Sequence, residues 1–312
     1  MHTTSTYFSL ASLLVLLAGP CFAAEPLSPH PVVNELATEG FEVAEGVRVI
    51  VSPPTVDASM DAEAQRAAVA ALVGELRMEQ FMKDSVVSPF ELSIGEAGAE
   101  LPSAKVRTLD LAFVAYGKLA VVRDKDLMQS VLGGGRGGEG REAEEDGFEK
   151  YGEGLTQQEC QERGFDLQLK GASRHHLTRF RFPLIEKVMI AGIVEGDGRD
   201  FQAMLVESSM SPVSMLDDKD FPTVWQEIPR GAQGDEDLGE PQPWRGLAGY
   251  LQTTELKFEP GAILVECHGV FVEPYDWFKG RNLLASKLPI VVKNNVTDFR
   301  RKLAKASEEV AE

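Results

Sequence analysis

Histidine and cysteine are both scarce in this 312-residue chain, with five and three residues respectively. The zinc-protease arrangement of two histidines one helical turn apart is absent, and the adjacent His175 and His176 would point to opposite faces of a strand, so no metal site is expected. Basic residues are outnumbered: 31 Lys and Arg face 49 Asp and Glu, for a net charge of -18. Such a field repels phosphate backbones and anionic lipid surfaces, which excludes nucleic acid as a partner. No apolar run is long enough to span a bilayer. A nucleophile motif such as GxSxG is missing, and the glycine run GGGRGGEGR at Gly133–Arg141 has no Lys-Ser/Thr ending and leads into Glu142, Glu144, Glu145 and Asp146. No phosphate cradle forms there, and no cofactor is expected. The acid runs Asp217-Asp218-Lys219-Asp220 and Asp235-Glu236-Asp237 lack EF-hand spacing and read as solvated surface.

What is present begins with a processing signal. An apolar stretch from Leu10 to Leu17 precedes helix-breaking Gly19-Pro20 and the small residues Cys21 and Ala23, the pattern of a signal peptide over 1–23. Export to the periplasm or cell exterior is the expectation. Pro20 beside Cys21 spoils a lipid-anchor site. The two remaining cysteines, Cys160 and Cys267, are a disulfide candidate in an oxidising compartment. At 43% hydrophobic content, the mature chain is a globular one with a substantial core.

Residues 24–45 read as an extended lead-in, and 46–312 as a single α+β domain with flexible insertions at 133–154 and 217–245, the second pinned by Trp225 and Trp244. Within the domain, Val47, Val49 and Val51 alternate as a first strand closed by Pro53-Pro54. One N-terminal helix is expected from Ser59 to Lys83, with Val69, Leu72, Val73 and Leu76 on its apolar face. Strand patterns follow at Val106–Tyr116, Phe165–Lys170, Leu177–Phe182, Glu186–Glu195 and Asp200–Glu207, the last two joined by a hairpin at Gly196-Asp197-Gly198-Arg199. Asp124 caps a short helix, KDLMQSVL.

The clearest signal lies near the C-terminus. Two strands meet at Pro260-Gly261, and the second puts Ile263, Val265, Cys267 and Phe271 on one face and Leu264, Glu266, His268, Val270 and Val272 on the other. Neither face is purely polar. Glu266 and His268 are therefore neighbours, a carboxylate beside an imidazole, which is the pairing of a base and its orienting partner. An outward polar pair is the simpler reading. Next comes an aromatic corner, with Tyr275, Trp277 and Phe278 as candidate ligand-binding residues. A closing amphipathic helix starts near Ser286, tolerates Pro289 in its first turn, and shows Leu288, Val292, Phe299 and Leu303 as one stripe. Arg300, Arg301, Lys302 and Lys305 read as its solvated end.

An early strand and helix, a series of antiparallel strands, a long hairpin and a closing helix: in this order of elements the chain resembles the START-like helix-grip superfamily over Gly46–Ala306. No motif accompanies the likeness, so no ligand residue is carried over, and the two insertions and the export signal depart from a compact member. The resemblance implies a curved sheet around the closing helix, an apolar cavity between them with Tyr275–Phe278 near its mouth, and binding or carriage of a hydrophobic small molecule or lipid. An envelope scaffold with a solid core is the alternative, and a hydrolase or isomerase using Glu266 and His268 is a third.

Overall fold

The structure is a computed structural model and describes residues 31–56, 59–74, 77–123, 147–149, 151–164, 174–201, 204–210, 218–279 and 283–310. The signal peptide at 1–23, the strand read at 165–170 and the helix KDLMQSVL lie outside these residues. Among the described residues the architecture is mixed α+β, with every strand pairing antiparallel and no closed barrel.

The main sheet is built on a central trio. Strands β11 (Leu247–Glu255) and β12 (Ala262–Pro274) form the expected hairpin, and β12 pairs on its other edge with β4 (Ala104–Tyr116) along thirteen residues. Beyond β4 lies β3 (Glu91–Leu101), an edge strand. Beyond β11 the sheet continues through β8 (Met204–Met210), β7 (Val188–Phe201), β6 (Arg174–Leu184) and β5 (Tyr151–Gly154). The lower half of β7 also pairs with β9 (Val224–Glu227), which carries the two-residue β10 (Gln242–Pro243).

Both faces of the central trio are covered, which is why neither face read as polar. On the inner face, Leu109, Leu111 and Phe113 of β4 join Val265 of β12, Phe180 and Phe182 of β6, and Leu284, Leu288, Val292, Phe299 and Leu303 of the closing helix in one core. Strands lie about 4.8 Å apart, so a flat sheet from β4 to β6 would be roughly 24 Å wide, twice the width of one helix. The closing helix shares one core with residues of both flanks. On the outer face, residues 31–81 form a second layer: Val33 and Leu36 with Val270 and Val272, then Val69, Val73 and Phe81 with Leu264 and Val114.

That outer layer differs from the expected lead-in and single helix. Residues 31–45 are not one extended run. They hold helix α1 (Pro31–Thr38) and strand β1 (Phe41–Ala44), which pairs with β2 (Val47–Val49) because Val33, Leu36, Phe41 and Val43 bury together. The helix read at Ser59–Lys83 is two: α2 (Ala62–Val73), capped by the Asp61 side chain and stopped at Gly74 with φ +78°, and the short α3 (Met78–Phe81). Left-handed φ is the usual stop for a helix.

Other expectations shift as well. The hairpin read at 196–199 is not a turn, because Gly196 and Gly198 pair with His176 and Arg174 of β6 while Glu195 and Arg199 pair with β8. β7 runs on to Phe201. The glycine-acid insertion ends in β5, and 217–245 contains β9 and β10. Trp225 and Trp244 are buried and pin that segment as expected. Its acid runs are not simply solvated: Asp218 pairs with Arg163, and both oxygens of Asp235 accept from Arg181 at 2.9 and 3.0 Å.

The closing helix, α6 (Leu283–Glu309), is 27 residues long, so Pro289 falls past its first turn. Its apolar stripe is buried as read. Arg300 is not solvated. It is 4% exposed and donates to the carbonyls of Val114 (2.7 Å), Ser88 (2.5 Å) and Pro89 (3.1 Å), with Phe113 beneath its guanidinium at 5.5 Å. Burial brings its pKa down to about 10.

Candidate functional site

Two sites lie on opposite faces of the β11–β12 hairpin. On the outer face, the alternation that put Glu266 and His268 side by side does bring them together, with His268 Nε2 3.5 Å from Glu266 Oε1. Register adds a third member, because His268 pairs with Asp110 of β4 and its Nδ1 lies 2.7 Å from Asp110 Oδ1. Burial alone would lower the pKa of this imidazole, but hydrogen bonds to Asp110 and Glu266, together with their charges, bring it up to about 9. Burial likewise pushes the Asp110 carboxyl up, and hydrogen bonds from His268 and Ser52 outweigh it, leaving the group below its ordinary range. The pair is thus an imidazolium held between carboxylates.

A segment of the outer layer is strapped across these groups. Glu266 accepts from the amides of Thr55 (2.9 Å) and Val56 (3.4 Å), Gln252 donates to the carbonyl of Val56, and the Tyr250 hydroxyl donates to that of Ser52 at 2.7 Å. The Tyr250 ring also lies against the His268 ring, 5.2 Å between centres. Pro53-Pro54 supplies no amide donors and holds this stretch extended. Glu266 is 1% exposed and His268 5%. Buried and bonded on both ring nitrogens, His268 ties Asp110, Glu266 and the 52–56 strap into one clamp across β4 and β12.

The inner face of the same hairpin is different in kind. Gly249 of β11 pairs with Gly269 of β12, and both alternate with inward residues: Leu247 and Leu251 flank the first, Cys267 and Phe271 the second. The sheet therefore presents no side chain at its centre there. A half-open pocket of about 70 Å³ lies over the glycine pair. Phe182, Leu184, Trp244, Phe271, Trp277 and Leu284 line it, placing it between the sheet and the start of the closing helix. It has room for about five to seven water molecules, and its walls are apolar. The backbones approach closely at this point. A Cβ on Gly249 would sit 2.5 Å from the His268 carbonyl oxygen, whereas one on Gly269 would meet nothing nearer than the Ala248 carbonyl at 3.3 Å.

Of the aromatic corner, Trp277 lines the cavity. Phe278 is buried behind it, ring centres 6.0 Å apart, and Tyr275 is 49% exposed. Two further wall residues, Trp244 from the 217–245 segment and Leu284 at the start of α6, carry no local sequence signal for a binding role. Trp244 packs on Trp277 at 5.7 Å, and its indole N–H donates to the Val272 carbonyl at 2.8 Å. The hairpin joining β6 to β7 brings in Leu184, and turns through Ile185 and Glu186 at φ 52° and 55°, a conformation that β-branched residues rarely adopt.

The disulfide candidate is corrected: Cys160 and Cys267 are free thiols. Cys160, on helix α5 (Gln157–Glu162), packs with Leu177 and Ile193, and Cys267 belongs to the inner core. Burial pushes the Cys267 thiol up to about 12.

No protein-family model and no curated protein matches the chain. Among solved structures it is similar to the human StarD13 (DLC2) lipid transfer and protein localization domain, at 10% identity over 75% of this chain and 95% of that one, with a TM-score of 0.37. No functional conclusion follows from a likeness of that degree. Among the described residues, no helix is long and apolar enough to cross a membrane.

Proposed function

We propose that this chain is an exported protein that binds or carries a small hydrophobic molecule, or one apolar end of a lipid, in the cavity between β11–β12 and α6. The observation that carries this reading is the paired glycines, Gly249 and Gly269, beneath an apolar wall that includes two tryptophans packed against each other at a tilt. A core selected only for stability fills such a space, because an unfilled volume forfeits contacts on every side. Water gains little by entering, since it finds too few polar partners there. An apolar guest regains those contacts, and the outer clamp keeps the floor of the site rigid while it does so.

The test is native mass spectrometry of the full chain, recovered from the exported fraction, beside a Gly269→Leu variant whose side chain would occupy the cavity. The expected result is an added apolar mass on the parent that the variant lacks. Equal adducts on both, or none on the parent even after incubation with alkyl probes, would remove the reading.

A further inference from the structure

We propose that the part of the guest held in this pocket is a flat, uncharged aromatic ring lying against the Gly249–Gly269 pair. The inference rests on the pocket being a binding site and goes on to name the class of its occupant. Successive inward residues of a strand stand about 6.8 Å apart and neighbouring strands about 4.8 Å apart, so a cross-strand pair without side chains clears a patch of about 7 by 10 Å. Leu247 and Phe271 close it on one side along the strands, and Cys267 on the other. That is the outline of one six-membered ring with a substituent. Volume agrees, since five to seven waters occupy about 150–210 Å³ of liquid, the space of a ring compound of about seven carbons. A single alkyl chain is narrower than the patch and would leave part of the floor bare.

The walls select further. Rings line the pocket from separate parts of the fold: Phe182 of β6, Trp244 after β10, Phe271 of β12 and Trp277 of the aromatic corner. Other rings packed against them hold them inclined, with Phe180 at 83° to Trp244, and Trp225 and Phe278 at 67° and 77° to Trp277. Aromatic pairs gain from such contacts beyond the area they bury, because a ring is negative on its face and positive at its edge. A flat aromatic guest adds to this set of contacts, whereas a puckered ring of the same size gains burial alone. Charge is excluded. Among the described residues no Lys, Arg, Asp or Glu lines the pocket, and the His268 imidazole lies on the opposite face between Asp110 and Glu266. An ionised group brought here would lose its water without gaining a partner.

Toluene and methylenecyclohexane share a six-membered ring bearing one further carbon, and only the first is flat and aromatic. Calorimetry gives the affinity of each for the full chain and for Phe271→Leu, while NMR follows the Gly269 Hα protons of the wild-type chain. Taking the ratio between two guests of nearly one size cancels any change in pocket volume. The preference for toluene should fall by about twofold to tenfold in Phe271→Leu. Toluene should also move the Gly269 Hα signals upfield, as protons over a ring face do, and methylenecyclohexane should leave them in place. If both guests bind with an unchanged ratio, or if toluene moves these signals downfield, the ring inference is overturned and the cavity reading stands. If neither guest binds, both are overturned. Should Phe271→Leu fail to fold, the Gly269 shifts of the wild-type chain decide between these outcomes.

Discussion

The two faces of the β11–β12 hairpin are built from the same alternating residues and reach opposite solutions. Outward, Tyr250, Gln252, Glu266 and His268 bond to one another, to Asp110, to Thr254 and to the strap at 52–56. Inward, Gly249 and Gly269 give up side chains altogether, and an apolar cavity remains over them. The difference shows how rigidity and capacity can be divided across one sheet. Charge and hydrogen bonds fix the outer layer, so the inner face can leave volume unfilled without the strands losing register.

Removing the clamp should have the largest effect. Glu266→Ala strips two backbone amides and the buried imidazolium of a partner, for an expected loss of about 3–5 kcal/mol in denaturant titrations. If stability is unchanged, the two faces are not mechanically linked as argued. The next effect depends on pH. The folded-state pKa of His268 stands at about 9 against an ordinary value of 6.5, so the stabilisation is complete below about pH 6.5 and is lost as pH rises through 9. It amounts to about 3 kcal/mol. Unfolding titrations across this window should show that slope in the parent and lose it in His268→Gln.

The inner face can be probed with two single methyl groups. Gly249→Ala forces a backbone clash and should cost about 1–3 kcal/mol, whereas Gly269→Ala should cost under about 1 kcal/mol. Equal costs would mean that the glycine pair is not the floor described here. The smallest expected effect separates the tryptophans. Trp244→Phe should be more destabilising than Trp277→Phe by about 1 kcal/mol, since only the first removes a made hydrogen bond.

Much of this hairpin was legible in the sequence, because period two over nine and thirteen residues fixes both faces and puts Glu266 beside His268. The same holds for the apolar stripe of α6. What was not legible depended on pairing at a distance. Asp110 lies 158 residues from His268 and enters the clamp only through the β4–β12 register. The two glycines are unremarkable until register sets them opposite each other. β3 escaped notice because its sequence, ELSIGEAGAEL, is short of β-branched and aromatic residues, which an edge strand paired on one side can tolerate. Arg300 reads as a helix-end cation because nothing local announces the carbonyls that receive it, in β4 and at 86–89.

Calorimetric titration of methylenecyclohexane into the parent chain and into Gly269→Leu, side by side, tests the central claim most directly. Saturable binding to the parent with a negative heat-capacity change, and none to the folded variant, is the predicted result. Binding of equal strength to both, or to neither, would contradict it.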